Sequence, residues 1–128
     1  MTDSTKNFEG LKEFPVELFY DCVDKNDFES FFKFIDENIK YQRQDYKTGT
    51  YIDIIGTQDF EDFYRNKRSL VGKHHIENIE SSADGNTIVV RGMFKGIDKD
   101  VEIELSFVDT WIIKDRKVIE RKSDIYKI

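Results

Sequence analysis

The sequence predicts an α+β domain in which three N-terminal helices pack against a curved, largely antiparallel sheet. Three observations lead to this prediction. Apolar residues recur at helical spacing in the first half of the chain, and from Gly72 onward they alternate. The segments 73–82 and 87–96 flank Ala83-Asp84-Gly85-Asn86, which is typical of a hairpin turn. The chain has one Pro and 7 Gly, and no linker interrupts it, so we expect a single domain.

Length and composition limit the class of protein. We assign residues 10–128 to the domain and residues 1–9 to a polar, flexible tail. Charged residues make up 36% of the chain, but 11 Phe and 6 Tyr are enough to fill a core. A net charge of −6 argues against nucleic-acid binding. The densest basic cluster, residues 65–68, is interpreted as the end of the third helix.

The remaining composition favours a cytoplasmic protein without a membrane span. No apolar run approaches the length that a membrane helix needs, and the N-terminus does not look like a signal peptide. Cys22 is the single cysteine, so no internal disulfide can form. The adjacent pair His74 and His75 has no spaced ligand partner, so we expect no metal site. We expect no cofactor either.

Three helices are predicted before residue 72. The first begins near Pro15, because a proline in the first turn needs no N–H partner. Its apolar residues are Phe14, Leu18, Phe19, Cys22 and Val23. Asp27 is expected to cap a second helix over residues 28–38. The apolar side of that helix consists of Phe28, Phe31, Phe32 and Ile35. Thr57 is expected to cap the third, with an inner face made of Phe60, Phe63, Tyr64 and Val71.

The strands follow a simpler pattern. Residues 39–46 predict a short strand, and residues 47–56 are either a connection or a second short strand. In the hairpin, Ile76 and Ile79 differ by three positions, which indicates a bulge. Gly92 and Gly96 are in phase with the apolar residues of their strand and predict sheet curvature rather than a phosphate loop. Two further strands are expected on either side of Lys114–Lys117.

The strand Val101–Ile113 contains an unexpected carboxylate. Its odd positions are apolar except for Asp109. With a three-residue loop at 115–117, the register predicts three cross-strand pairs: Trp111 with Arg121, Asp109 with Ser123, and Phe107 with Ile125. The inner residues of the last strand would then be Ile119, Arg121, Ser123 and Ile125. The other register would place three charged side chains on the apolar face, which is costly.

Two hypotheses account for Asp109. In the structural hypothesis it forms a buried ion pair with Arg121, supported by the Ser123 hydroxyl, and does no chemistry. In the functional hypothesis it lies in the wall of a pocket, where apolar neighbours raise its pKa and it exchanges protons with a ligand. The sequence leaves both open.

Three segments resemble the nuclear transport factor 2-like superfamily, and within it the SnoaL-like proteins. They are DKNDFESFFKFIDENIKY, GTQDFEDFY and FVDTWIIKDRKVIERKSD. The resemblance implies a cone-shaped half-barrel with an internal pocket at its wide end. It also implies a homodimer formed through the outer face of the sheet.

The resemblance further implies binding of a small apolar or aromatic molecule. One expectation is cofactor-independent acid/base catalysis of the isomerase, dehydratase or cyclase type, with Asp109 as the catalytic residue. The alternatives are a ligand-binding module without catalysis and a dimeric scaffold that assembles through Val89, Met93 and Val108. Asp109 matches the oxyanion donor of the ketosteroid isomerase pattern. Phe19 and Arg43 stand where that pattern has its tyrosine and its base, which argues against that reaction.

The expected pocket residues surround Asp109. They are Tyr20, Tyr41, Arg43, His74, Phe107, Trp111, Arg121 and Ser123. For Tyr41 and Arg43, a solvated edge strand is the alternative. Only one of His74 and His75 can point inward, and an exposed histidine is the alternative there.

Overall fold

The computed structural model describes residues 15–128, so Phe14 and the tail predicted at residues 1–9 lie outside the described residues. The helices are α1 (Val16–Asp24), α2 (Phe28–Phe32) and α3 (Thr57–Asp62), and α3 continues as a π-helical turn, Phe63–Lys67. The strands are β1 (Ile35–Gln44), β2 (Tyr51–Ile55), β3 (Leu70–Ser81), β4 (Thr87–Asp98), β5 (Val101–Lys114) and β6 (Lys117–Lys127).

The strands form one six-stranded sheet in the order β2-β1-β6-β5-β4-β3. Strand β1 pairs with β6 in parallel, and the other neighbours are antiparallel. The predicted α+β class is therefore confirmed, with a mixed sheet that does not close between β2 and β3. Within residues 15–128, no helix is long and apolar enough to cross a membrane.

The first two helices begin as the sequence predicts, but the second ends early. Val16 follows Pro15 as the first residue of α1, and Asp27 caps α2 by accepting a hydrogen bond from the Ser30 N–H at 3.3 Å. The prediction of a helix to residue 38 is wrong, because Ile35 pairs with Val118 and starts β1. Of the apolar residues of α1, Leu18 is 45% exposed.

The third helix differs from the prediction at both ends. Gly56 occupies the cap position with a φ of 86°, and the Thr57 hydroxyl donates instead to the carbonyl of Asp36. The helical segment ends at Lys67, so Val71 is not on its inner face. Val71 lies in β3 and is 69% exposed.

The last hairpin keeps the predicted pairs although its turn is shorter than predicted. The turn residues are Asp115 and Arg116, both with positive φ, which fits a two-residue loop. A register shift beside Ile112 then restores the pairing of Trp111 with Arg121 and of Asp109 with Ser123. One consequence departs from the prediction: Val118, not Ile119, is the fully buried residue at the start of β6.

The helices cover the inner face of the sheet, and the core between them is aromatic. Its fully buried rings belong to Phe19, Phe31, Tyr41, Phe60 and Trp111. Phe19 joins the layers, because its ring lies 4.9 Å from that of Phe31 and 5.0 Å from that of Trp111. Such ring pairs stabilise beyond the area they bury.

Gly92 is required by the close approach of β3 and Phe107. A Cβ atom at this position would lie 2.3 Å from the carbonyl oxygen of His75 and 2.9 Å from the Phe107 ring. The predicted bulge is found beside it, between Ile76 and Asn78.

We therefore predict that Gly92→Ala lowers the free energy of unfolding by about 1–3 kcal/mol, because the added methyl group forces backbone and ring apart. Urea denaturation measures the change, and Ser81→Ala, at an exposed end of β3, is the control. An unchanged Gly92→Ala midpoint would contradict the close approach.

Candidate functional site

Asp109 is at the centre of a buried hydrogen-bonded cluster on the inner face of the sheet. It lies in the middle of β5 and is 2% exposed. The Tyr20 hydroxyl of α1 donates to its Oδ2 atom at 2.5 Å, and Arg121 Nη2 of β6 donates to the same oxygen at 3.0 Å. The ion pair of the structural hypothesis is therefore present.

Arg121 connects this cluster to the third helical segment. Its Nη1 atom donates to the Tyr64 hydroxyl at 2.6 Å. The guanidinium lies over two rings, 4.3 Å from the centroid of Trp111 and 4.7 Å from that of Tyr41. Its Nε atom is buried and has no hydrogen-bond partner within residues 15–128.

Tyr41 extends the cluster toward β1. Its hydroxyl lies 2.8 Å from the Ser123 hydroxyl and accepts a hydrogen bond from Arg43 Nη1 at 3.0 Å. Burial raises the pKa of Tyr41, but the guanidinium groups of Arg121 and Arg43 outweigh it, and the net pKa is lowered.

The charge state of Asp109 follows from its partners. Burial raises the pKa of its carboxyl group, but Arg121, Ser123 and Tyr20 together lower it below the ordinary value of 3.8. Burial and the Asp109 charge raise the pKa of Tyr20 well above its ordinary range. At neutral pH a carboxylate accepts from a phenol, so the protonated donor of the ketosteroid isomerase pattern does not fit this environment.

His74 faces the interior, and its partner is Asp24 rather than Asp109. Asp24, at the end of α1, accepts from the His74 backbone N–H at 2.9 Å and lies 2.6 Å from the ring Nδ1. Burial lowers the pKa of His74 more than Asp24 raises it, so the ring is neutral at pH 7. His75 is exposed on the opposite face. The sequence held one signal for this role of Asp24. A carboxylate at a helix C-terminus is unfavourable beside the negative end of the helix dipole, so a nearby hydrogen-bond donor is expected.

Two adjoining cavities reach this cluster. The inner cavity is about 20 Å³, enough for one water molecule. The mouth cavity is about 150 Å³, and its rim includes the exposed residues Asp45, Lys47 and Lys67. Arg43, Arg68 and Leu70 line both.

Five of the predicted pocket residues line the inner cavity with Asp109. They are Arg43, His74, Phe107, Arg121 and Ser123. Tyr20, Tyr41 and Trp111 are not part of its lining and support it from behind. Sequence reasoning missed Arg68 and Leu70, since Arg68 was interpreted as a helix-end cation.

Metal binding finds no structural support among the described side chains. In residues 15–128, no group of three or more His, Cys, Asp or Glu residues is arranged to hold an ion.

We predict that Asp109→Asn lowers the free energy of unfolding at pH 7 by roughly 3–5 kcal/mol, because Arg121 is left buried without its counter-charge. Since the folded-state pKa of Asp109 is depressed, its contribution is present above the ordinary value of 3.8 and is lost as the pH falls through the lower folded value. The stability difference between wild type and variant should therefore shrink in acid.

Urea denaturation from neutral to acidic pH measures this difference. Asp100→Asn is the matched control, because Asp100 is exposed in the β4–β5 turn, and it should follow the wild type at every pH. A difference for Asp109→Asn that stays constant down to the acid limit would count against an ionised Asp109 in the folded protein.

Comparisons with known proteins identify the fold. A family model described as a SnoaL-like domain matches residues 16–121. No curated protein matches the chain. An LEH-like epoxide hydrolase from M. tuberculosis has a TM-score of 0.71 at 14% identity, over 88% of this chain and 79% of that one. A proposed isomerase from Bacillus subtilis has a TM-score of 0.72 at 16% identity, over 87% and 81%.

A third structure supports the superfamily. It is a nuclear transport factor 2-like protein of unknown function from Burkholderia pseudomallei, with a TM-score of 0.71 at 16% identity, over 84% of this chain and 85% of that one. At such identities the likeness establishes the fold alone. Together with the family match across the domain, it shows that this chain belongs to the SnoaL-like family of the nuclear transport factor 2-like superfamily.

Proposed function

We propose that the protein binds a small apolar or aromatic molecule in the pocket of a SnoaL-like cone, entering through the mouth cavity. The observation that carries this proposal is the pair of adjoining cavities, of about 150 Å³ and 20 Å³, that lead from exposed residues to the buried Asp109 cluster. Ile52, Phe63 and Leu70 provide apolar walls, and Arg43 and Arg68 stand at the junction.

The size of the cavities limits the ligand. Pockets for drug-sized ligands are roughly 300–1,000 Å³, whereas an apolar cavity of about 150 Å³ accepts benzene. The mouth cavity therefore fits a molecule with one ring or a short branched chain. Larger polycyclic molecules would need side chains of the rim to move.

Acid/base catalysis is a second candidate, favoured by one observation. The Asp109 carboxylate lines the inner cavity, where a group the size of a water molecule fits beside it. As an anion it would act as a general base in an isomerase, dehydratase or cyclase step that needs no cofactor. Against this, the same carboxylate is already bound by Arg121 and Tyr20. Conversion of a bound molecule by the wild type, but not by folded Asp109→Asn, would support catalysis.

We predict that one-ring aromatic fragments shift the backbone amide NMR signals of Phe63, Ser69 and Leu70. Ile52→Trp should abolish these shifts, because Ile52 is 45% exposed in the mouth cavity and an indole there fills it. Ile55→Trp is the matched control on the same strand, since Ile55 lies outside both cavities. Shifts that survive Ile52→Trp, or that map to the outer face of the sheet, would refute binding in the mouth cavity.

Assembly is a separate proposal. We propose a homodimer formed through the outer face, where Val89, Met93 and Val108 are half-buried apolar residues that alternate with the buried inner positions. Met93 and Val108 lie in the middle of β4 and β5, and Val89 lies near the start of β4.

We predict that Val108→Glu converts the dimer to a monomer, because a charge would be buried in the interface. Sedimentation velocity measures the change. Leu18→Glu, on the exposed side of α1, should leave the dimer intact. A wild type that sediments as a monomer at every concentration would overturn the proposal.

A further inference from the structure

Basic side chains surround the mouth cavity even though the chain carries a net charge of −6. They are Arg43, Lys47, Lys67 and Arg68. The two lysines have carboxylate partners: Lys47 lies 3.3 Å from Asp98 and Lys67 lies 3.2 Å from Asp62. The Lys67–Asp62 pair is exposed at the rim and binds weakly, whereas in the Lys47–Asp98 pair only the lysine is exposed and the Asp98 side chain is buried.

The two arginines have no such partner. Within residues 15–128, neither Arg43 nor Arg68 has a carboxylate oxygen within 4.0 Å, the limit for an ion pair. Arg43 donates to Tyr41 and lies 5.0 Å from the centroid of the Phe63 ring. Arg68 donates from Nη1 to the Leu70 carbonyl at 2.9 Å. Both side chains are half-buried, and removing a charge from water without a counter-charge is costly.

The pKa of Arg68 is consistent with a guanidinium that is not paired with a carboxylate. Burial lowers the pKa of its guanidinium to about 10, and the charges of Arg43 and Arg121 add to the effect. The acids that face this region are already engaged: Asp109 binds Arg121, and Asp24 binds His74. Asp45 lies at the exposed rim. Asp98 also lines the mouth cavity and is 5% exposed, and it is already bound by Tyr46, Ser69 and Lys47. Around the junction, three guanidinium groups therefore face two buried carboxylates, Asp109 and Asp98, and neither carboxylate pairs with Arg43 or Arg68.

The side chain of Arg121 also indicates that an acceptor binds here. The Arg121 side chain is 6% exposed and lines the inner cavity, and its Nε atom has no hydrogen-bond partner within residues 15–128. Buried donors are nearly always satisfied, so an unsatisfied one beside a cavity indicates a missing acceptor.

We propose that the ligand carries a carboxylate group, bound by Arg43 and Arg68 at the junction of the two cavities. The inference rests on the proposed function and names the chemical class of its ligand: a small aromatic or branched carboxylic acid. The planar guanidinium groups suit a carboxylate, and the apolar part of the ligand contacts Phe63 and Leu70. At the junction, one carboxylate oxygen fits the inner cavity of about 20 Å³ and the other stays in the mouth cavity, and phenyl phosphate in the test distinguishes this group from a phosphate.

The test compares benzoate with benzamide, which has nearly the same shape and no charge, by calorimetry and by amide NMR shifts. Benzoate should bind roughly tenfold tighter or more, because its negative charge pairs with the two guanidinium groups and benzamide has no charge. Arg68→Gln should remove this preference by weakening benzoate binding much more than benzamide binding. Arg65→Gln is the matched control, because Arg65 lies in the π-helical turn just before Arg68 but pairs with the exposed Glu29.

The outcomes separate the inference from the proposed function. Equal binding of benzoate and benzamide, or tighter binding of phenyl phosphate, would overturn the carboxylate class and leave small-molecule binding intact. No binding of any of the three by the wild type at millimolar concentrations would overturn both. If thermal melting shows that Arg68→Gln is unfolded, Arg43→Gln and Arg68→Lys replace it; Arg43→Gln should lose the benzoate preference, and Arg68→Lys should keep part of it. Retention of the full preference by Arg43→Gln would overturn the inference.

Discussion

The ion pair between Asp109 and Arg121 is the interaction on which the rest of the interior depends. Both side chains are almost fully buried on the inner face, one on β5 and one on β6. Each would be costly alone, so the pair also enforces the strand register that brings them together. Slipping β6 by one residue would separate the charges and turn Lys122 and Asp124 inward.

The helices are docked to the sheet through the same pair. Tyr20 on α1 donates to Asp109, and Tyr64 in the π-helical turn accepts from Arg121. The guanidinium is held between the rings of Trp111 and Tyr41, which replace part of the hydration that it lost. Two separate helical segments are thus positioned by hydrogen bonds to a single buried charge pair. The Phe residues around them bury apolar surface, but their contacts do not fix the orientation of the helices.

The sequence was enough to predict the pairing of β5 and β6 around Asp109 and Arg121, but not all of the residues and strands around this pair. The alternation along β5 singled out Asp109, and the cost of charges on an apolar face selected the partner strand register. The turn was shorter than predicted, and the bulge compensated for it. The parallel pairing of β1 was not predictable from local pattern, because Ile35 continues the helical spacing of Phe28 and Phe31 and equally begins the strand that Ile39 and Tyr41 follow. The sequence analysis interpreted Arg68 as a cation at the end of the third helix. Its place in the lining of the two cavities depends on how the chain turns between Lys67 and Leu70, which the local pattern does not predict.

The buried charged groups differ in how fully their hydrogen-bond and charge partners are supplied by the protein. Asp109, the residue that the alternation along β5 singled out, has all the partners a buried carboxylate needs: a cation, a phenol and a hydroxyl lie around it. Three cations nearby are less completely paired: within residues 15–128, Arg43 and Arg68 hydrogen-bond to neutral oxygens but have no carboxylate partner, and the Nε atom of Arg121 has no acceptor. Cations without a counter-charge, and one buried donor without an acceptor, line the cavities beside this carboxylate, and an anionic ligand group would complement them. The buried carboxylate therefore organises these arginines, and the arginines, at the junction of the two cavities, are the groups positioned to meet a ligand.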